Sequence, residues 1–164
     1  MMLYSLTGII AVALATFAAA AGPKWVTYRS PSGFYSVDHP SDWRVESDEN
    51  IVNIIPGDKS GAVTISAYLG KPAAGHPEQL ISEAFGTFQP TSPLLTVTGS
   101  GWKGVRRTFL DKSQTPHREL VVIIAANARG MVIITWNEVS PRIEERAPVY
   151  SRIFNSLKLS TRKR

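Results

Sequence analysis

Residues 120–136 read LVVIIAANARGMVIITW, and their reading decides the fold. The flanks, 120–126 and 131–136, are continuous apolar runs rich in β-branched residues, short enough for buried strands. Between them, Asn127-Ala128-Arg129-Gly130 offers residue types that tolerate positive φ and close a tight loop. The stretch is a hairpin buried on both faces. Antiparallel sheets commonly leave one face to water, so other parts of the chain have to cover the second face.

Moving toward the N-terminus, residues 102–111 and 94–98 read as strands separated by Gly99-Ser100-Gly101. On the first of these, Arg107 faces solvent away from Val105 and Phe109 only if the strand bulges, and the pattern leaves that register open. Residues 77–88 change period: Leu80, Ile81, Ala84, Phe85 and Phe88 fall on one helical stripe, with Pro77 suited to the first turn. Residues 62–69 alternate, with Val63, Ile65, Ala67 and Leu69 on one side and Thr64, Ser66 and Tyr68 on the other. Residues 51–55 form a short strand ended by Pro56-Gly57. Residues 25–29 and 34–38 form a hairpin about the turn cluster Ser30-Pro31-Ser32-Gly33.

Toward the C-terminus, Ser140-Pro141 starts a helix with a cap followed by proline at the first position. Glu144 and Glu145 sit in its first turn, where the helix dipole favours them. Ile143, Ala147, Tyr150 and Phe154 make its buried stripe, and Pro148 is expected to kink it or force a restart. Residues 157–159 supply one more edge strand, and residues 161–164 (TRKR) a solvated basic tail. The expected class is therefore α+β: a mainly antiparallel sheet of about six to eight strands covered by helices. Residues 70–75 are the one flexible-looking internal loop.

Residues 1–21 carry no charged side chain, and their apolar core at 8–21 is shorter than the roughly 20 residues of a membrane span. Ala19-Ala20-Ala21 suits a signal peptidase, so the segment reads as a signal peptide cleaved near Ala21, or as an N-terminal anchor if it is retained. Either reading places residues 22–160, a single domain, outside the cytoplasm. The 164 residues are 43% hydrophobic and 19% charged, which excludes disorder and leaves enough chain for a self-sufficient core. Zero cysteines exclude disulfides, thiolate metal sites, thiol nucleophiles and a lipoprotein anchor. A net charge of +5 tolerates anionic partners without demanding them.

The stretch Gly33-Phe34-Tyr35-Ser36-Val37-Asp38-His39-Pro40-Ser41-Asp42-Trp43 resembles the opening of PsbP-like domains, and Ile153-Phe154-Asn155-Ser156-Leu157 resembles their close. The superfamily includes the PsbP subunit of photosystem II, the Ran-binding Mog proteins and DcrB-type envelope lipoproteins. The resemblance spans most of residues 25–160 and implies a PsbP-like α/β/α sandwich. It also implies an accessory or binding role, with no shared catalytic set to carry over. His39 departs from the pattern, standing where an aromatic is common.

No catalytic, cofactor or metal residue is assigned. His39, His76 and His117 are the three histidines and lack ligand-pair spacing. Asp38, His39 and Asp42 cluster around Pro40, and a strand-ending turn accounts for them. Ser100 sits between glycines without the Gly-x-Ser-x-Gly spacing of a nucleophile turn. Trp102, Arg106 and Arg107 invite a nucleic-acid reading that an exported chain of modest charge does not need. Trp25, Trp43 and Trp136 are expected in the core, and Arg162-Lys163-Arg164 makes at most weak contact with an anionic membrane surface. The expected function is an exported, non-enzymatic accessory or adaptor protein of the envelope with a protein partner. The alternative is a small-ligand or lipid-binding module with its site between the 77–88 helix and the sheet. A hydrolase assembled from Ser, Asp and His is a distant third.

Overall fold

The computed structural model describes residues 22–70, 77–113, 115–139 and 142–162. The expectations for residues 1–21 and 71–75, for His76, for the Ser140-Pro141 cap and for Lys163 and Arg164 of the basic tail lie outside them.

The hairpin is there and is longer than its apolar runs: β9 spans Arg118–Asn127 and β10 spans Gly130–Val139. They pair antiparallel in continuous register from Gly130↔Asn127 to Val139↔Arg118. β10 also pairs with β5 (Gly61–Leu69), which pairs with β4 (Ile51–Ile55) and through it with β3 (Arg44–Asp48). On the other side β9 pairs with β8 (Trp102–Asp111), whose outer edge takes β6 (Gln89–Pro90) and β7 (Leu95–Gly99). These eight strands form one antiparallel sheet. A second sheet of three strands holds β1 (Trp25–Arg29), β2 (Tyr35–Pro40) and β11 (Lys158–Leu159), with β2 in the middle.

The expectation of a two-sided hairpin holds for one strand only. In β9, Val121 to Ala125 are buried without interruption. In β10, Val132, Ile134, Trp136 and Glu138 are buried, while Met131, Ile133 and Thr135 between them are half-exposed. The reason is the size of the cover. Helix α1 (Pro77–Phe85) packs Ile81, Leu80 and Phe85 over Val105, Phe109, Val122 and Ile124 of β8 and β9, and reaches β10 only at its margin. It stops at Phe85, short of the expected Phe88, where Gly86 follows; Phe88 N–H still donates to the Phe85 carbonyl, and its ring stays in this cluster.

The other face of the sheet carries the larger core. Helix α2 (Arg142–Asn155) and the three-stranded sheet cover it together, so Tyr150, Ile153, Phe154, Phe34 and Val37 meet Val63, Ile65, Ile134 and Trp136. Pro148 lies inside α2, and no restart occurs. Tyr150 and Phe154 stack on Trp136 with ring centroids 4.4 and 5.0 Å away. Three further differences concern short strands. β3 has one apolar residue, Val45, in its five, so its pattern gave no strand signal; β6 is only two residues long. The edge strand expected at 157–159 forms over Lys158–Leu159 only, and in the small sheet rather than the large one.

The open register of β8 is also settled. Val105 pairs with Ile124 and Arg107 with Val122, so the strand has no bulge there and Arg107 shares the α1 side with Val105 and Phe109. Its guanidinium lies 5.8 Å from the Phe109 ring centre, and its Nε donates to the Ser92 carbonyl at 3.3 Å.

Candidate functional site

The residues singled out by sequence do not converge. Asp38 accepts a hydrogen bond from the Thr27 hydroxyl at 2.6 Å, while its neighbour His39 is buried on the opposite face of β2. His39 Nδ1 lies 2.8 Å from the Pro40 carbonyl, an acceptor only, so that nitrogen carries the proton. Asp42 is exposed. The three therefore point apart and make no cation site. Among the described residues, no group of three or more His, Asp or Glu side chains gathers as a metal site would require. Ser100 is exposed on the β7–β8 turn, and its carbonyl accepts from Leu159 N–H. Trp102 Nε1 donates to the Leu157 carbonyl at 3.1 Å, an anchor between the two sheets. Trp136 is in the core, whereas Trp25 and Trp43 are only half-buried at its margin. Arg106 is half-exposed, and Arg162 is exposed beyond β11.

Sequence reasoning passed over one polar cluster. Glu138 is 0% exposed at the end of β10. Its Oε2 accepts from the Tyr150 hydroxyl at 2.7 Å and from Arg146 at 3.3 Å. Arg146 also donates to the Ser60 hydroxyl and pairs with Asp58, which Arg142 reaches too. Burial pushes the Tyr150 phenol well above its ordinary value, and the neighbouring carboxylate adds to this, so it remains a donor. The period-2 pattern of β10 was the available signal, since it carries Glu138 to the same side as Trp136. The cluster ties α2 to β10 and to the β4–β5 turn. It is a clamp in the wall of the core.

Among the surface features of the described residues, two lie where the cover of the large sheet ends. The first is the part of the large sheet that α1 leaves uncovered, on β3, β4, β5 and β10. Ile51 and Tyr68 stand out from it at 46% and 38% exposure. With Asp48, Glu49, Asn50 and Ser66 they line a hollow of about 240 Å³. Farther along the free edge of β3, Glu46 pairs with Arg44 at 2.8 Å. The second is a groove of about 460 Å³ between the start of α1 and strands β7, β8 and β9, at the helix–sheet junction. No described helix is long and apolar enough to cross a membrane.

Comparison with known proteins gives the fold its relatives. No family model and no curated protein matches the sequence. Solved structures do. A crystal structure from Bacteroides thetaiotaomicron superposes with a TM-score of 0.64 at 16% identity, over 82% of this chain and 48% of that one. This chain thus spans about half the length of that protein. Cyanobacterial PsbP (CyanoP) of Synechocystis matches with a TM-score of 0.57 at 8% identity, covering 90% of this chain and 99% of its own. LpqN, involved in cell envelope biogenesis of Mycobacterium tuberculosis, matches at 0.59 and 12% identity, covering 85% and 92%. The molecule has the PsbP/Mog1/DcrB-like fold. At such identities the likeness speaks for architecture alone.

Proposed function

We propose that this is an exported, non-catalytic accessory protein of the cell envelope that acts by binding another protein through the open part of its large sheet. One observation carries the reading: the sheet face that α1 leaves bare presents Ile51 and Tyr68 beside a hollow large enough for a partner's side chain. Exposed apolar side chains grouped with an aromatic are what docking surfaces use, because tyrosine buries a large area at low entropic cost. Asp48 and Glu49 along one side favour a partner with a basic rim, while Glu46 is paired with Arg44 at 2.8 Å. The uncharged segment at residues 1–21 supports export, and the envelope role of LpqN fits the same address.

The test is a cross-linked pull-down of the tagged full-length protein from its native envelope, beside the double variant Ile51→Asp, Tyr68→Glu. One stoichiometric partner that the variant loses supports the reading, and peptides from upstream of Gly22 in the same digest report whether the leader is retained. A partner held equally by the variant, no enriched partner, or turnover of a substrate by the purified protein overturns it.

A further inference from the structure

At one end of the molecule, a groove and a lysine lie together. Lys158 bridges to Ser100 on the β7–β8 turn, and Lys103 follows that turn on β8. Asn127 Nδ2 donates to the carbonyls of Gly101 and Ser160 at 3.0 and 3.2 Å, which brings the exposed Arg162 to the same end. The 460 Å³ groove opens here. Val105, Ala126 and the Gly104 backbone line its sheet side; Thr96 and Lys103 add polar groups there, and Glu78 stands on the helix side. Gly104 has no substitute, since a Cβ there would lie 1.8 Å from the Ile124 carbonyl oxygen.

We propose that this groove binds a single-chain anionic amphiphile, such as a long-chain carboxylate, with its chain along Val105 and Ala126 and its charged end at Lys103. The volume sits low in the roughly 300–1,000 Å³ range of small-molecule sites, which suits one chain rather than two. Among the described residues, a strip of Val105, Ala126, Ala128 and Pro77 with Lys103 at its side matches a ligand that is apolar along its length and charged at one end. Glu78 repels an anion from the helix side and so orients the ligand toward Lys103. Lys103, exposed at the groove mouth, supplies the attraction for the anionic end. This surface is separate from the open part of the sheet, and each can fail without the other.

Dodecanoate is the probe, titrated below its micellar concentration into the ¹⁵N-labelled full-length protein and followed by amide shifts. The expected result is saturable binding with shifts at Thr96, Val105 and Ala126. Lys103→Glu should weaken dodecanoate at least about tenfold while leaving uncharged dodecanol nearly unchanged, as expected when one charge contact is lost. Ala126→Phe, which fills the groove, should abolish both; if that variant does not fold, Thr96→Phe provides the same block. The proposal is overturned if those amides do not move, if a folded Ala126→Phe or Thr96→Phe protein binds as before, or if acetate or inorganic phosphate binds as well as dodecanoate.

Discussion

Glu138 carries its carboxylate into the core wall because Tyr150, Arg146 and the Val139 N–H all turn toward it. Desolvating such a charge costs several kcal/mol unless its partners stay in place. The two ends of the ion pair are therefore not equivalent. Removing Arg146 leaves a fully buried charge held by Tyr150, and Arg146→Ala should cost about 3–5 kcal/mol. Glu138→Ala should cost less, about 1–3 kcal/mol, because the Arg146 side chain is 21% exposed and keeps Asp58. Urea unfolding of the two variants checks the order. Asp58 gives the cluster a pH dependence: hydrogen bonding from Arg146, foremost, holds its carboxyl at about 2 against an ordinary 3.8. A folded value below the unfolded one means stability that is complete above the unfolded value and lost as pH falls through the folded one. The unfolding midpoint should fall between pH 4 and pH 2, and Asp58→Asn should flatten that fall by only a small part, because the Asp58 side chain is 39% exposed.

Among the elements, α2 holds the sharpest conflict between local preference and tertiary demand. Pro148 lacks the N–H that would reach the Glu144 carbonyl, and a proline inside a helix costs about 3 kcal/mol relative to alanine. The helix nevertheless continues from Arg142 to Asn155, since Ile143 before the proline and Tyr150, Ile153 and Phe154 after it pack on one core. Pro148 is exposed, so Pro148→Ala removes no core contact and should raise stability by about 1–3 kcal/mol. A higher melting temperature with an unchanged amide spectrum would bear this out. The strands show how far pattern reaches. β5, with Val63, Ile65 and Ala67 alternating against Thr64, Ser66 and Tyr68, was legible because one face is wet. β3 was not, because it is an edge strand whose five residues include four polar ones. That omission also hid the acidic margin of the candidate docking surface.

For the molecule as a whole, closure depends on contacts distant in sequence. β11 pairs with β2, the Ser156 hydroxyl accepts from Asp38 N–H at 2.7 Å, and the Leu157 carbonyl accepts from Trp102. Leu157 and Leu159 are 1% and 4% exposed, so the stretch that follows α2 is core rather than appendage. Leu157→Ala should cost about 2–5 kcal/mol. A chain ending at Asn155 loses both leucines and the bond to Asp38, which compares with a total stability of roughly 5–15 kcal/mol. It should lose the near-ultraviolet signal of its packed tryptophans; a truncated chain with native melting would sink this account.

By itself, the sequence determined what depends on neighbours along the chain. The two apolar runs with Asn127-Ala128-Arg129-Gly130 between them specified the central hairpin, and the stripes of Ile81 and Phe85 and of Ile143, Tyr150 and Phe154 specified two helices. The lack of cysteine removed whole classes of chemistry. Short periodic signals survive because strand and helix periods are set by the backbone. The tertiary structure alone decided which face each helix covers, and that α1 is too short to cover the whole sheet. It also separated β1, β2 and β11 into a second sheet and brought Glu138 to Arg146 and Asp58. Both surface features follow from those decisions. The bare part of the sheet and the groove beside α1 are defined by where the cover ends, and no local pattern records that.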